Sequence, residues 1–312
     1  MRKLILFLVS PFVLFGISVN SEKADAPWYT GPLLTPSSKV VPAGHYNIEP
    51  YCFWTVFNGV YDKNSHAVST PHINQITNQF SFKIGLTQVM DITGSFQSHY
   101  TRTQHVHSTG FNDSTLGLEY QIYLSKPDEW IPNAKISVVE VLPTGKYQHL
   151  KAARLGTDAG GMGAYLTIVG LTFGKIIHIY DVHHLSLRLN LNAIFKGRAR
   201  VKGFNSFGGD SSTFGKVHIG STFILQSSFE YNFTRNWVLA CDFQAIYSGR
   251  DKFHGRTFIP VGGPSETLYS FAPAIEYNFS DPLGVIVGSW FTVNGRNAPR
   301  FVSLVAAVDY TY

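Results

Sequence analysis

The segment Arg300-Phe301-Val302-Ser303-Leu304-Val305-Ala306-Ala307-Val308-Asp309-Tyr310-Thr311-Tyr312 decides the fold. Its even positions carry Val302, Leu304, Ala306, Val308, Tyr310 and Tyr312, while Ser303, Asp309 and Thr311 occupy odd ones. Side chains alternate across a strand, so this is a period-2 strand with one apolar face that runs to the final residue. A closed barrel in a bacterial outer membrane has this requirement, because its last strand pairs with its first and leaves no open edge in lipid. Tyr310 and Tyr312 are then the expected assembly signal, aromatics on the lipid face offered to the barrel-assembly machinery.

The amino terminus points the same way. Arg2 and Lys3 precede an apolar run, Leu4 to Val19, that is broken by Pro11 and followed by polar residues. This pattern predicts a cleaved secretory signal peptide over 1–21 rather than a membrane helix. Charged residues make up 14% of the chain, against ~25% in ordinary globular proteins, and aromatics reach another 14%. A chain whose strands face lipid on one side and water on the other has that balance. Without Arg2 and Lys3 the chain keeps 23 basic against 20 acidic residues, an excess that argues neither for nor against nucleic acid, and no nucleic-acid partner is expected. Cys52 and Cys241 lie among apolar neighbours in strand-like segments and are expected to be unpaired.

Alternation recurs through the remainder. Seven regular stretches are predicted as strands: Ile76 to Leu86, Ile92 to Tyr100, Leu116 to Leu124, Leu185 to Lys196, Val217 to Phe233, Trp237 to Tyr247 and Tyr269 to Phe279. Less regular ones cover His45 to Phe57, Ala134 to Leu142, Ala164 to Tyr180 and Gly284 to Val293; with the terminal strand the expected total is twelve. Lys135 and Glu140 fall on opposite faces of one strand, which suggests a bulge there. Short turns (Gln88-Val89, Asp181 to His184, Thr234 to Asn236, Ser280 to Pro282) fit the periplasmic side. The segments Asp62 to Pro71, Thr101 to Asp113, Pro143 to Gly163, Gly197 to Gly215 and Ser248 to Ser265 read as extracellular loops. Aromatics near strand ends, among them Trp130, Trp237, Tyr277 and Phe279, fit an interfacial girdle. The expected fold is thus all-β: a transmembrane antiparallel up-and-down barrel of about twelve strands over 44–312, preceded by a periplasmic leader or plug over 22–43.

If the apolar faces meet lipid, parity turns Lys83, Glu119, Arg188, Lys196, Glu230, Asp242, Glu276 and Asp309 into the lumen. A basic residue on the lipid side near the midplane would cost ~2–4 kcal/mol, so the assignment is well constrained. These eight either fill the barrel with ion pairs or line a path for a solute. The leader, rich in Pro, Gly and Ser but carrying Trp28, Tyr29, Leu33, Leu34, Val40 and Val41, either folds into the periplasmic mouth or hangs loosely from it.

The run Val141-Leu142-Pro143-Thr144-Gly145-Lys146-Tyr147 resembles the PTG signature of the outer-membrane meta-pathway phenol-degradation transporter family. Asp158 to Gly163 and Asn294-Gly295-Arg296-Asn297 resemble later segments of that family, so the likeness spans roughly 44–312. It implies a barrel distantly similar to fatty-acid and aromatic-hydrocarbon transporters, one that passes small hydrophobic or aromatic solutes. It transfers no site residues, and the leader has no counterpart in it. The alternatives are a surface adhesin or structural barrel acting through its loops, and a barrel-embedded lipid hydrolase.

Catalysis would need a serine activated by a histidine. His105, His107 and Ser108, or Gly209-Asp210-Ser211, are the nearest approaches, and neither has the surrounding pattern of an outer-membrane lipase. His105 with His107, and His183-His184 with Asp181, lack a full metal-ligand set. No catalytic residue, metal or cofactor is expected. Arg198, Arg200, Lys202, Arg250, Lys252 and Arg256 make two loops basic, and outer-membrane lipid and lipopolysaccharide are the expected partners.

Overall fold

The computed structural model describes residues 27–126 and 129–312; the expected signal peptide and residues 22–26 of the leader lie outside them. The strands are β1 (Tyr46–Tyr61), β2 (Ala67–Thr87), β3 (Met90–Thr103), β4 (Val106–Phe111), β5 (Ser114–Tyr123), β6 (Asn133–Leu142), β7 (Leu166–Tyr180) and β8 (His183–Lys196). They continue as β9 (Arg198–Lys202), β10 (Phe214–His218), β11 (Thr222–Asn232), β12 (Trp237–Ser248), β13 (Lys252–Arg256), β14 (Glu266–Ser280), β15 (Leu283–Arg296) and β16 (Ala298–Thr311). All pairings are antiparallel. In space the ring runs β1-β2-β3-β5-β6-β7-β8-β11-β12-β14-β15-β16, and β16 returns to β1, so twelve strands close the barrel. The seam extends from Asn47 opposite Thr311 to Tyr61 opposite Ala298. Reciprocal bonds between Tyr46 and Tyr312, at 3.0 and 2.8 Å, finish its periplasmic end. With the edge abolished, the backbone groups of the wall are satisfied within the sheet.

The terminal strand follows its pattern. Val302 and Leu304 are about half exposed on the outside, whereas Ser303 and Val305 are fully buried. The aromatic cluster also assembles at the periplasmic rim: Trp237 meets Tyr277 edge-on at 4.7 Å, Tyr277 meets Phe279 at 4.9 Å, and Tyr46 stacks on Tyr312 at 5.3 Å. Both cysteines are free and face outwards.

Three expectations are corrected. Parts of the extracellular links are strand. Asp62 to Pro71 shrinks to a tight turn between long strands, β4 occupies part of Thr101 to Asp113 and pairs with the upper half of β3, and β9 and β13 lie in the next basic segments. Val217 to Phe233 is two strands, not one. The chain breaks at Gly220-Ser221, so Val217 and Ile219 are buried on an inward face rather than turned to lipid. Finally, β6 has no bulge. Lys135 points inwards, Glu140 lies on the outer face near the rim where the Thr167 hydroxyl donates to it at 2.7 Å, and the irregularity falls on β5 between Gln121 and Tyr123.

Candidate functional site

The lumen-facing charges gather into two bonded groups. Glu119 on β5 accepts from Lys135 on β6 at 2.7 Å and from Lys83 on β2 at 3.2 Å, all three inside the wall. Around the ring, Arg188 on β8 meets Glu230 on β11 at 2.8 Å, and Ser186 donates to the same carboxylate. Asp309 on β16 accepts from the Asn47 side chain of β1 at 2.6 Å. Lys196 is half-buried near the extracellular end of β8, within electrostatic reach of Asp251 and Glu266. Asp242 and Glu276 are fully buried, and their partners come from outside the barrel strands.

Those partners belong to the leader. Residues 27–44 run through the lumen, held chiefly by backbone N–H groups that donate to wall carboxylates. Thr30 N–H donates to Glu276 at 2.9 Å, Thr35 N–H and hydroxyl to Asp242 at 2.9 and 2.7 Å, and Val41 N–H to Asp91 at 2.7 Å. Amides complete the set: Gln226 donates to the Leu34 carbonyl, Gln121 to the Ser38 carbonyl, and Asn232 and Asn278 to the Trp28 carbonyl. A segment without regular structure can lie inside a barrel only if its peptide groups find such partners. The leader thus crosses from β11, β12 and β14 at its start to β3 and β5 before it enters β1. Asp91, the Trp28 carbonyl and the amides were not singled out from sequence; the excess of Asn and Gln on the inward parity was their only signal.

The lumen is also less uniformly polar than parity on the charged residues implies. On β12, β14, β15 and β16 the inward positions Ala240, Ala272, Ala274, Ile286, Val305 and Ala307 form an apolar strip, with Leu33 of the leader packed on it and 4% exposed. Burying one leucine there contributes ~1.5–3 kcal/mol to docking. Glycines leave the room that the leader fills. A Cβ at Gly288 would come within 2.7 Å of Leu33, one at Gly174 would strike Ser38, one at Gly284 would strike Thr30, and one at Gly85 would strike the Pro42 carbonyl. Lys39 faces Arg188, and burial followed by that like charge holds its amine below the usual range. Tyr29 is pushed well above the usual phenol range by burial and then by Glu230 and Glu276, and its buried hydroxyl has no hydrogen-bond partner among the described residues.

The leader does not fill the barrel. A cavity of about 570 Å³ remains between it and the wall of β1, β2, β3 and β5, lined by Glu49, Tyr51, Phe53, Lys83 and Asp309 among others. A second, of about 940 Å³, opens at the periplasmic end beside Lys39, Lys175 and Arg188. Lys39, Arg188 and Asp309 border both cavities.

The other candidate chemistry disperses. The Ser108 hydroxyl bonds the Thr157 hydroxyl at 2.9 Å, while the His107 ring lies beside Tyr100. Asp210 staples an extracellular loop, accepting from the N–H groups of Ser212, Phe258 and Ile259, and the Ser212 contacts hold its carboxyl below the usual range. His183 bonds Tyr231 and His184 bonds the Val182 carbonyl. Among the described residues no three His, Cys, Asp or Glu side chains are placed to hold a metal.

No family profile matches the sequence. No curated protein matches it either. Solved structures do. An outer membrane channel from Pseudomonas putida F1 superposes with a TM-score of 0.69 at 14% identity, over 90% of this chain and 100% of that one. The fold is that of an outer-membrane barrel. The transport unit of the autotransporter AIDA-I from Escherichia coli aligns at 0.49 with 11% identity over 86% of this chain and 91% of its own, and the NanC porin at 0.47 with 10% identity over 84% and 98%. The closed ring, its lipid-facing apolar belt and the shared fold place the chain in a bacterial outer membrane.

Proposed function

We propose that this barrel is an outer-membrane channel whose leader is a seated, displaceable plug, and that it passes small hydrophobic or aromatic solutes. The observation that carries this is the pairing of Leu33 with the apolar strip on β12 to β16. The eight inward charges alone would suit an aqueous pore for ions. The strip gives the lumen a dry side, which the leader covers and a hydrophobic solute would use once Leu33 leaves. The resemblance of the PTG segment to the meta-pathway phenol-degradation transporter family, distantly similar to aromatic-hydrocarbon transporters, supports the same solute class. Glu49 on β1, Lys83 on β2 and Asp309 on β16, which continue the wall past the strip, would keep that part of the path wet.

The test is permeation into liposomes holding the full-length mature protein or a variant lacking residues 22–43. A monoaromatic hydrocarbon with a small polar handle, such as a cresol, is compared with a pentose of similar size. Expected is faster cresol entry than through protein-free liposomes, with a further gain on deletion, and a cresol preference that Ala272→Asp on the strip reduces several-fold. Equal passage of both solutes would leave a nonselective pore and remove the solute class from the proposal.

A further inference from the structure

β9, β10 and β13 form a separate three-stranded sheet in the order β9-β10-β13. Each strand is joined to a barrel strand by a short break: β9 follows β8 after Gly197, β10 leads into β11, and β13 follows β12. The small sheet is therefore an extracellular continuation of three adjacent wall strands. Its pairing register is strict. Lys202, Phe214 and Arg256 make one row, Arg200, Lys216 and His254 the next, and Arg198, His218 and Lys252 the third. Because alternate residues share a face, these nine side chains stand together. Eight are basic and the ninth is Phe214, over whose ring the Arg256 guanidinium lies at 5.9 Å. No acidic side chain occupies the grid, and among the described residues none of the eight forms an ion pair with a carboxylate.

Such an arrangement is unfavourable in isolation. Residues directly opposite across antiparallel strands have Cβ atoms roughly 4.5–5.5 Å apart, where like charges repel. Arg200 faces Lys216, which faces His254; Arg198 faces His218, which faces Lys252. Partial burial, then Arg198, His254, Lys252 and Lys216, hold the His218 imidazole below its usual range, a sign of the positive field there. A sheet that gathers like charge in register needs an anion to offset it.

The opposite face says where that anion is. Ala199, Val201 and Val217 pack against Val141, Leu166 and Ile194, the inward-facing residues at the tops of β6, β7 and β8. The basic face is thus turned away from the lumen. Directly below it, Phe195, Phe223 and Tyr247 are exposed on the lipid side at the ends of β8, β11 and β12. Phe195 is three residues from Arg198, a rise of ~10 Å in extended chain. That step leads from the hydrocarbon boundary to the headgroup layer of the outer leaflet.

We propose that this face binds the phosphates of lipopolysaccharide, with Arg198, Arg200, Lys202, Lys216, Lys252 and Arg256 as the contact residues. Guanidinium groups pair phosphate oxygens in a two-pronged geometry, and Phe214 offers an apolar contact to the sugar or acyl boundary. The face stands apart from the lumen, so the proposal is independent of what the channel carries.

The experiment is binding of deep-rough lipopolysaccharide to the purified full-length protein in detergent, at low and high salt. Its controls are lipid A stripped of both phosphates and the soluble polyanion dextran sulfate. The variants are Arg200→Glu with Lys216→Glu, the milder Arg200→Gln with Lys216→Gln, and Lys63→Glu in the β1–β2 turn; each must keep its heat-modifiable band on unboiled gels. Expected is at least a tenfold loss of affinity in the reversed pair, a smaller loss in the Gln pair, and none for Lys63→Glu. Removal of the phosphates and high salt should each weaken binding comparably. Equal binding of phosphate-free lipid A, or full affinity in whichever pair folds, would overturn the assignment. Dextran sulfate binding more tightly than lipopolysaccharide would overturn it in favour of a soluble polyanion.

Discussion

Glu119 holds two buried ammonium groups with one carboxylate, and among the described residues no other carboxylate pairs with two lysines. Removing it leaves Lys83 and Lys135 facing each other with only Asp91 and Glu49, neither bonded to them, to offset their charge, and losing one partner of a buried pair costs ~3–5 kcal/mol. Glu119→Gln should therefore lower the temperature at which the folded band is lost on SDS gels. Adding Lys135→Met should restore part of it; no recovery would mean that Glu119 acts through something other than these lysines. Tyr29 gives a pH-dependent counterpart. Its docked pKa lies above the ordinary 10.0, so its contribution to docking is complete below pH 10 and is lost as the pH rises, when a released leader can ionise and a docked one cannot. Full-length conductance should accordingly rise between about pH 10 and 11, and Tyr29→Phe, which has no phenol to ionise, should flatten the rise. A rise that persists in Tyr29→Phe would assign it to another group.

At the scale of elements, the leader and the wall are cut to each other. The glycines at 85, 174, 284 and 288 lie where leader atoms pass, so a side chain added on the barrel should expel the leader without any change in the leader itself. Gly174→Val, whose added side chain meets Ser38 of the leader first, is expected to raise conductance towards that of the barrel lacking 22–43, and a channel as quiet as the parent would argue that the leader does not pass there. Little of this was legible in the sequence. Inward and outward parity could be read wherever large lipid-facing residues alternated with charges, which is why Lys83, Glu119, Arg188, Glu230, Asp242, Glu276 and Asp309 were placed inside. The apolar strip escaped because Ala272, Ala274 and Ala307 are small residues between large ones, and alternation by size looks the same whether the small side faces lumen or lipid. The path of the leader escaped because its anchors are backbone N–H groups, which every sequence has. β9, β13 and the start of β10 read as loop, and the rest of β10 as part of a wall strand, because the strand pattern changes phase at Gly197 and Gly220-Ser221, and a phase change resembles the end of a strand.

For the whole molecule, closure is the step on which insertion depends, since an unpaired β1 or β16 edge would leave a row of peptide groups bare in lipid. Tyr312 bonds Tyr46 through the backbone and stacks on its ring, which makes the last residue part of the seam. Tyr312→Ser should slow assembly and lower the seam's resistance to heat, read as a smaller heat-modifiable fraction in outer-membrane preparations; an unchanged fraction would remove Tyr312 from the assembly signal. On the channel role proposed above, the lumen is the route across, and the leader, with its carboxylate anchors and its leucine on the apolar strip, is what stands in it. The most direct measurement is single-channel conductance in a planar bilayer of the refolded mature protein beside the same protein lacking residues 22–43. A closed or flickering full-length barrel and a steadily open deleted one are expected. Equal conductance from the two, whether open or silent, would contradict the plug.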